Sequence, residues 1–134
     1  MGTAAAADEP DATPGAFALS CAEEACPDKL PSSEFSEVRR LGAEGDGAHR
    51  SADFAVALKR WDEALQIFAG RKGCGAQRVL KSRLYSKQAA AALETADWAG
   101  ARSYASQALD TDDSNMKARL RRVRAVLELG DAKD

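Results

Sequence analysis

Lys117, Arg119, Arg121, Arg122 and Arg124 put five cations into eight residues of a chain whose formal net charge is −2. Ammonium and guanidinium groups at that density serve phosphate binding, carboxylate binding or plain solvation, and their arrangement decides which. On a helix, Lys117, Arg121 and Arg124 share one stripe at i, i+4 and i+7, and Arg119 and Arg122 fall on another side. The charge is split between faces. A further stripe, Met116, Leu120, Val123 and Leu127, is apolar and reads as the buried seam of the helix. Three uses remain: a nucleic-acid patch, a solvated basic face, or a pocket for a carboxylate. Proteins that live on a phosphate backbone carry a clear basic excess. With 19 Lys and Arg against 21 Asp and Glu, this chain does not, so nucleic acid ranks last and carboxylate binding first.

Other chemistry finds little support. His49 is the single histidine, with no nucleophile placed to use it, and no glycine-rich phosphate loop occurs. Cys21, Cys26 and Cys74 are odd in number and irregular in spacing, which is no disulfide framework. Cys21 and Cys26 make half a metal site without its other half. The expectation is a non-enzymatic protein with no cofactor, no metal and reduced thiols.

These side chains must be carried by helices. Residues 1–31 are rich in Ala, Pro, Asp and Glu, with six acidic residues against Lys29, and read as a disordered acidic tail. Within it, Ser20 and Glu23 offer a capping box for a short helix around 20–26. Residues 32–134 form the folded part. Proline is absent beyond Pro31, apolar residues recur at helical spacing, and no segment alternates long enough for a strand. Breaks are expected at the three glycines of "LGAEGDGAHR" (41–50), at "AGRKGCG" (69–75) and at "DTDDSN" (110–115), where Ser114 or Asn115 caps the next helix. No apolar run spans a membrane. The N-terminus lacks the basic region of a leader peptide, and Ala6 stands where myristoylation wants Ser or Thr, so the expected compartment is the cytoplasm.

An internal repeat is visible. "KRWDEALQIF" (59–68) and "ADWAGARSYASQAL" (96–109) each place Ala three residues after Trp, and Ala132 continues the series 34 residues after Trp98. Helices are expected at about 47–58, 80–94 and 115–128 before each of these positions. Ala52, Ala64, Ala89, Ala101 and Ala108 fall where paired helices approach closely, and Phe68, Tyr85, Leu109 and Leu127 where they bury their seam. This pattern resembles the tetratricopeptide repeat, and "LYSKQAAAALETADWAGARSYASQALDTDDSNMKARLRRVRAVLELG" is similar to the second and third repeats of its carboxylate-clamp class, found in co-chaperone adaptors and large immunophilins.

The resemblance implies an all-α fold of antiparallel helix pairs stacked as a right-handed solenoid of about two and a half repeats, near 45–78, 82–115 and a truncated 116–134. It implies a groove in which Lys117 and Arg121, in the pattern Lys-Ala-x-x-Arg, grip a partner's terminal carboxylate. The same alignment brings Lys87 from the second repeat and His49 and Asp53 from the first. A register two helical turns earlier gives Gly42 and Asp46 instead. Asp53 is an acceptor-only anion that Lys87 or Arg121 would have to neutralise. The implied function is an adaptor for an acidic C-terminal peptide, such as that of a heat-shock chaperone. The alternative is a structural subunit that uses its helices as packing surface, and the unpaired third-repeat helix, with Leu120, Val123, Val126 and Leu127 lacking a cover, favours it.

Overall fold

A computed structural model describes residues 26–130. It contains five α-helices and, among the described residues, no strand: α1 (Ser32–Arg50), α2 (Phe54–Ile67), α3 (Ala76–Glu94), α4 (Trp98–Thr111) and α5 (Met116–Glu128). α1 packs on α2, α3 on α4, and α5 against both α4 and α3, while α3 joins the two pairs through α2. No helix is long and apolar enough to cross a membrane. The short helix expected around 20–26 and most of the acidic tail lie outside the described residues.

Side-chain caps start α2, α4 and α5. Asp53, Asp97 and Asn115 accept from the backbone N–H groups of Val56, Gly100 and Ala118 at 3.4, 3.0 and 3.1 Å. The α1–α2 and α3–α4 turns are copies of each other. Ala52 and Ala96 take left-handed φ values of 61° and 60°. Asp53 N–H then donates to Ala48 O, and Asp97 N–H to Ala92 O, both at 2.8 Å.

That duplication corrects the sequence alignment. Asp53 and Asp97 are 44 residues apart, so Phe54, not Trp61, is the counterpart of Trp98 at the start of its helix. Trp61 lies two turns into α2. Ala52 sits in the turn rather than between paired helices.

The break expected at Gly42–Gly47 is not there, because α1 runs through it. Glycine costs a helix interior about 1 kcal/mol relative to alanine. Here packing supplies the reason for it. A Cβ at Gly45 would overlap the Trp61 indole, and one at Gly42 would touch Leu84 of α3. Trp61 is 1% exposed as a result and its indole N–H donates to Gly42 O at 3.2 Å.

Residues 26–31, expected as the end of a disordered tail, form a packed strap. Leu30 is 1% exposed, in one cluster with Val38, Trp61, Phe68 and Leu84. Its backbone exchanges two hydrogen bonds with the Gln77 amide: Leu30 N–H donates to Oε1 at 2.8 Å, and Nε2 donates to Leu30 O at 3.0 Å. Cys26 and Cys74 are joined as a disulfide with their Cα atoms 6.4 Å apart, which overturns the expectation of reduced thiols.

The other end of the chain is also corrected. α5 buries Ala118 and Ala125, not the stripe taken for its seam. Met116, Leu120, Val123 and Leu127 are 62, 66, 52 and 73% exposed. Leu127 is therefore no seam residue, whereas Phe68, Ala64, Ala89, Ala101 and Ala108 are fully buried where small and large contacts were expected.

Candidate functional site: a groove between α1, α3 and α5

The α1 C-terminal half, the face of α3 around Arg83 and Lys87, and the start of α5 enclose an open groove of about 800 Å³. Its floor includes Trp61, Val79 and Ala90, and the Asp112–Met116 turn closes one end. That turn is held by Ser114, which donates from its hydroxyl and backbone N–H to Asp112 at 2.6 and 3.1 Å. These bonds hold the Asp112 carboxyl below its ordinary value.

The five cations that open the chain's chemistry are divided by the fold. Lys117 is exposed on the groove wall and makes no hydrogen bond or ion pair with the described residues. Arg121 is half-buried one turn further along and points to α3, where its Nη1 donates to Ser86 O at 2.9 Å and to Ser86 Oγ at 2.7 Å. Burial lowers its pKa, but a guanidinium stays protonated at any physiological pH. Arg119 turns to Asp113 O and Arg122 to Ser106 Oγ, so neither lines the groove.

The remaining expected residues are distributed as follows. Lys87 lines the groove, and its Nζ lies 2.8 and 3.0 Å from the two carboxylate oxygens of Asp46. His49 also lines it, 5.4 Å from the Phe54 ring and 5.7 Å from Trp61, with Nε2 buried and unpartnered. Asp53 does not line it; its carboxylate caps α2. Of the two residues of the earlier register, Asp46 lines the groove and Gly42 does not. Asp46 also accepts from the Trp61 indole N–H at 3.3 Å.

Arg83 was missed by sequence reasoning. It precedes Lys87 by one turn on α3, faces the groove and has no ion-pair partner among the described residues. The signal was present as an i, i+4 pair of cations on one helix face. Arg50 adds a further exposed cation at the α1 end. The lining thus carries five cations, Arg50, Arg83, Lys87, Lys117 and Arg121, against the two carboxylates of Asp46 and Asp112. Such a groove attracts an anion and offers it both a guanidinium fork and an ammonium. Among the described residues it holds no nucleophile paired with a base.

No family model matches the chain. Over 95 residues it is 30% identical to "Protein unc-45 homolog B" of Mus musculus, covering 71% of this chain and 10% of that protein. The proteins of the same name from Xenopus laevis and Homo sapiens are each 31% identical, over 91 and 94 residues. The chain spans about a tenth of the length of these relatives. The similarity to these proteins is distant, and the described residues of this chain are all-helical in architecture.

Proposed function

We propose that the chain is a peptide-binding adaptor of the tetratricopeptide type, its helix pairs antiparallel and stacked as a right-handed solenoid. Its groove receives the acidic C-terminus of a protein partner, in the manner of co-chaperones that bind heat-shock chaperones. The observation that carries this reading is that Lys117 and Arg83, which have no ion-pair partner among the described residues, face the same cavity on neighbouring helices, beside Arg121. Arg121 is already fixed by Ser86, so its remaining donors are oriented before a ligand arrives and cost little ordering entropy on binding. The reading assigns the chain no catalytic activity.

Isothermal titration with a peptide ending in a free carboxylate tests it. Binding on the order of micromolar, roughly −8 kcal/mol, is expected. Amidating the peptide C-terminus should weaken it. Lys117→Ala should cost about 1.5–3 kcal/mol, as for a hydrogen bond to a charged group. Arg119→Ala, outside the groove, should cost little.

A second reading rests on the α5 stripe. Met116, Leu120, Val123 and Leu127 form an exposed apolar row that a larger assembly would cover, as in a structural subunit. Absence of peptide binding, with self-association that Leu120→Glu abolishes, would select it.

A further inference from the structure

We infer that Asp46 is a specificity-determining residue of the groove: it makes the α1 wall reject an acidic side chain, so that an acidic C-terminus binds only with its carboxylates on the Lys117 and Arg83 side and a neutral or basic residue against the α1 wall. This rests on the carboxylate-binding reading above and narrows its ligand.

The groove's cations are not equivalent. Lys117 and Arg83 have no ion-pair partner among the described residues, so they are open to an incoming carboxylate. Lys87 is not, since both of its short contacts go to the Asp46 carboxylate. Asp46 is itself held from a second side by the buried Trp61 indole N–H at 3.3 Å. The indole cannot retreat, because Gly45 presses against it and it fills the α1–α2 seam. The Asp46 carboxylate therefore occupies, from within the chain, the position that a ligand carboxylate would take on Lys87.

Two consequences follow. A ligand anion on the α1 side must either displace Asp46 from Lys87 or sit next to it, and both are unfavourable in a partly buried cleft. A ligand cation or N–H donor placed there gains an acceptor already oriented. Beside Trp61 the α1 wall presents the fixed Asp46 carboxylate, opposite the open cations Arg83 of α3 and Lys117 of α5; Arg50 stands exposed at the α1 end and Asp112 lies in the turn before α5. Specificity of this kind comes from a repulsive element as much as an attractive one.

The test compares two peptides, identical except that the residue preceding the terminal one is Glu or Gln, against the parent chain, Asp46→Asn and Arg119→Ala. Asparagine keeps an acceptor for Trp61 and a donor-capable face for the groove, and thermal melting of each variant checks that the fold persists. The parent chain and Arg119→Ala should bind the Gln peptide about tenfold more tightly than the Glu peptide. Asp46→Asn, which frees Lys87, should erase or reverse that ratio. The same ratio in Asp46→Asn and the parent overturns the inference while leaving the carboxylate reading in place. Equal binding of free and amidated peptides, or no binding by any variant, removes the carboxylate reading and this inference with it. Binding by Asp46→Asn alone supports the inference in its strongest form, with Asp46 excluding both peptides.

Discussion

Where α1 crosses α2, Gly45 faces Trp61; where α3 crosses α4, the positions 44 residues on are Ala89 and Ala105, both fully buried. The turns are the same and both pairs use an aspartate cap, yet one seam sets the smallest residue against the largest while the matching positions of the other are two alanines. Interiors fill space to crystal-like density, and both solutions satisfy that. They do not resist damage equally. The first seam's cluster gathers Trp61 and Phe68 with Leu30 of the strap and Leu84 of α3, the disulfide beside them. The second seam's cluster is built on Ala92 and Leu93 of α3, Ala101 of α4 and Ala125 of α5, flanked by half-buried Trp98 and Tyr104.

Trp61→Ala should break the comparison most severely, costing about 3–5 kcal/mol in denaturant unfolding. Ala105→Gly at the matching place in α4 should cost only about 1 kcal/mol, mainly helix propensity. Similar losses at both would mean that the seams are energetically alike.

Reduction of the Cys26–Cys74 bond comes next. The bond spans 48 residues and should contribute about 2–4 kcal/mol. Since it ties the strap to the α2–α3 loop, amide exchange should quicken around Leu30 and Gln77 and stay unchanged in α4. Uniform quickening would show that the two pairs unfold as one unit.

Gly45→Ala should cost about 1–3 kcal/mol by overpacking against the indole. Trp61→Phe in the same chain should recover part of that loss, and simple additivity would deny the contact.

The caps give the smallest effect and sharpen the comparison most finely. Asp97 bonds Gly100 N–H at 3.0 Å, close because no Cβ intervenes, while Asp53 reaches Val56 N–H only at 3.4 Å. Asp97→Ala should cost about 1 kcal/mol and Asp53→Ala about half that, measured by thermal melting.

Much of this was legible in the residues. The helical class followed from spacing and the missing prolines, and the breaks at 69–75 and 110–115 and the Asn115 cap lie where composition put them. What was not legible depended on distant partners. Gly42, Gly45 and Gly47 look like a break until Trp61 is known to lie against Gly45 and to donate to Gly42 O. A helix started at 47 on the strength of that break carries Asp53 in its interior, whereas Asp53 caps α2. On α5, the apolar stripe outranked Ala118 and Ala125 in hydrophobicity, but close helix approach selects for small side chains. Arg121 was found with Lys117 by spacing; its tie to Ser86 required knowing how α5 sits on α3.

The exchange between Leu30 and the Gln77 amide joins points 47 residues apart. Each helix hairpin, by contrast, closes over a few residues at its turn. Loop-closure entropy makes short-range closure the faster event. With Cys26 and Cys74 reduced, the strap is therefore expected to dock after the hairpins exist; the intact disulfide holds Leu30 and Gln77 close even in the unfolded chain. Interactions that form after the rate-limiting barrier govern how slowly a protein comes apart more than how quickly it assembles. In the reduced protein, a single glutamine amide thus acts chiefly on the lifetime of the folded chain.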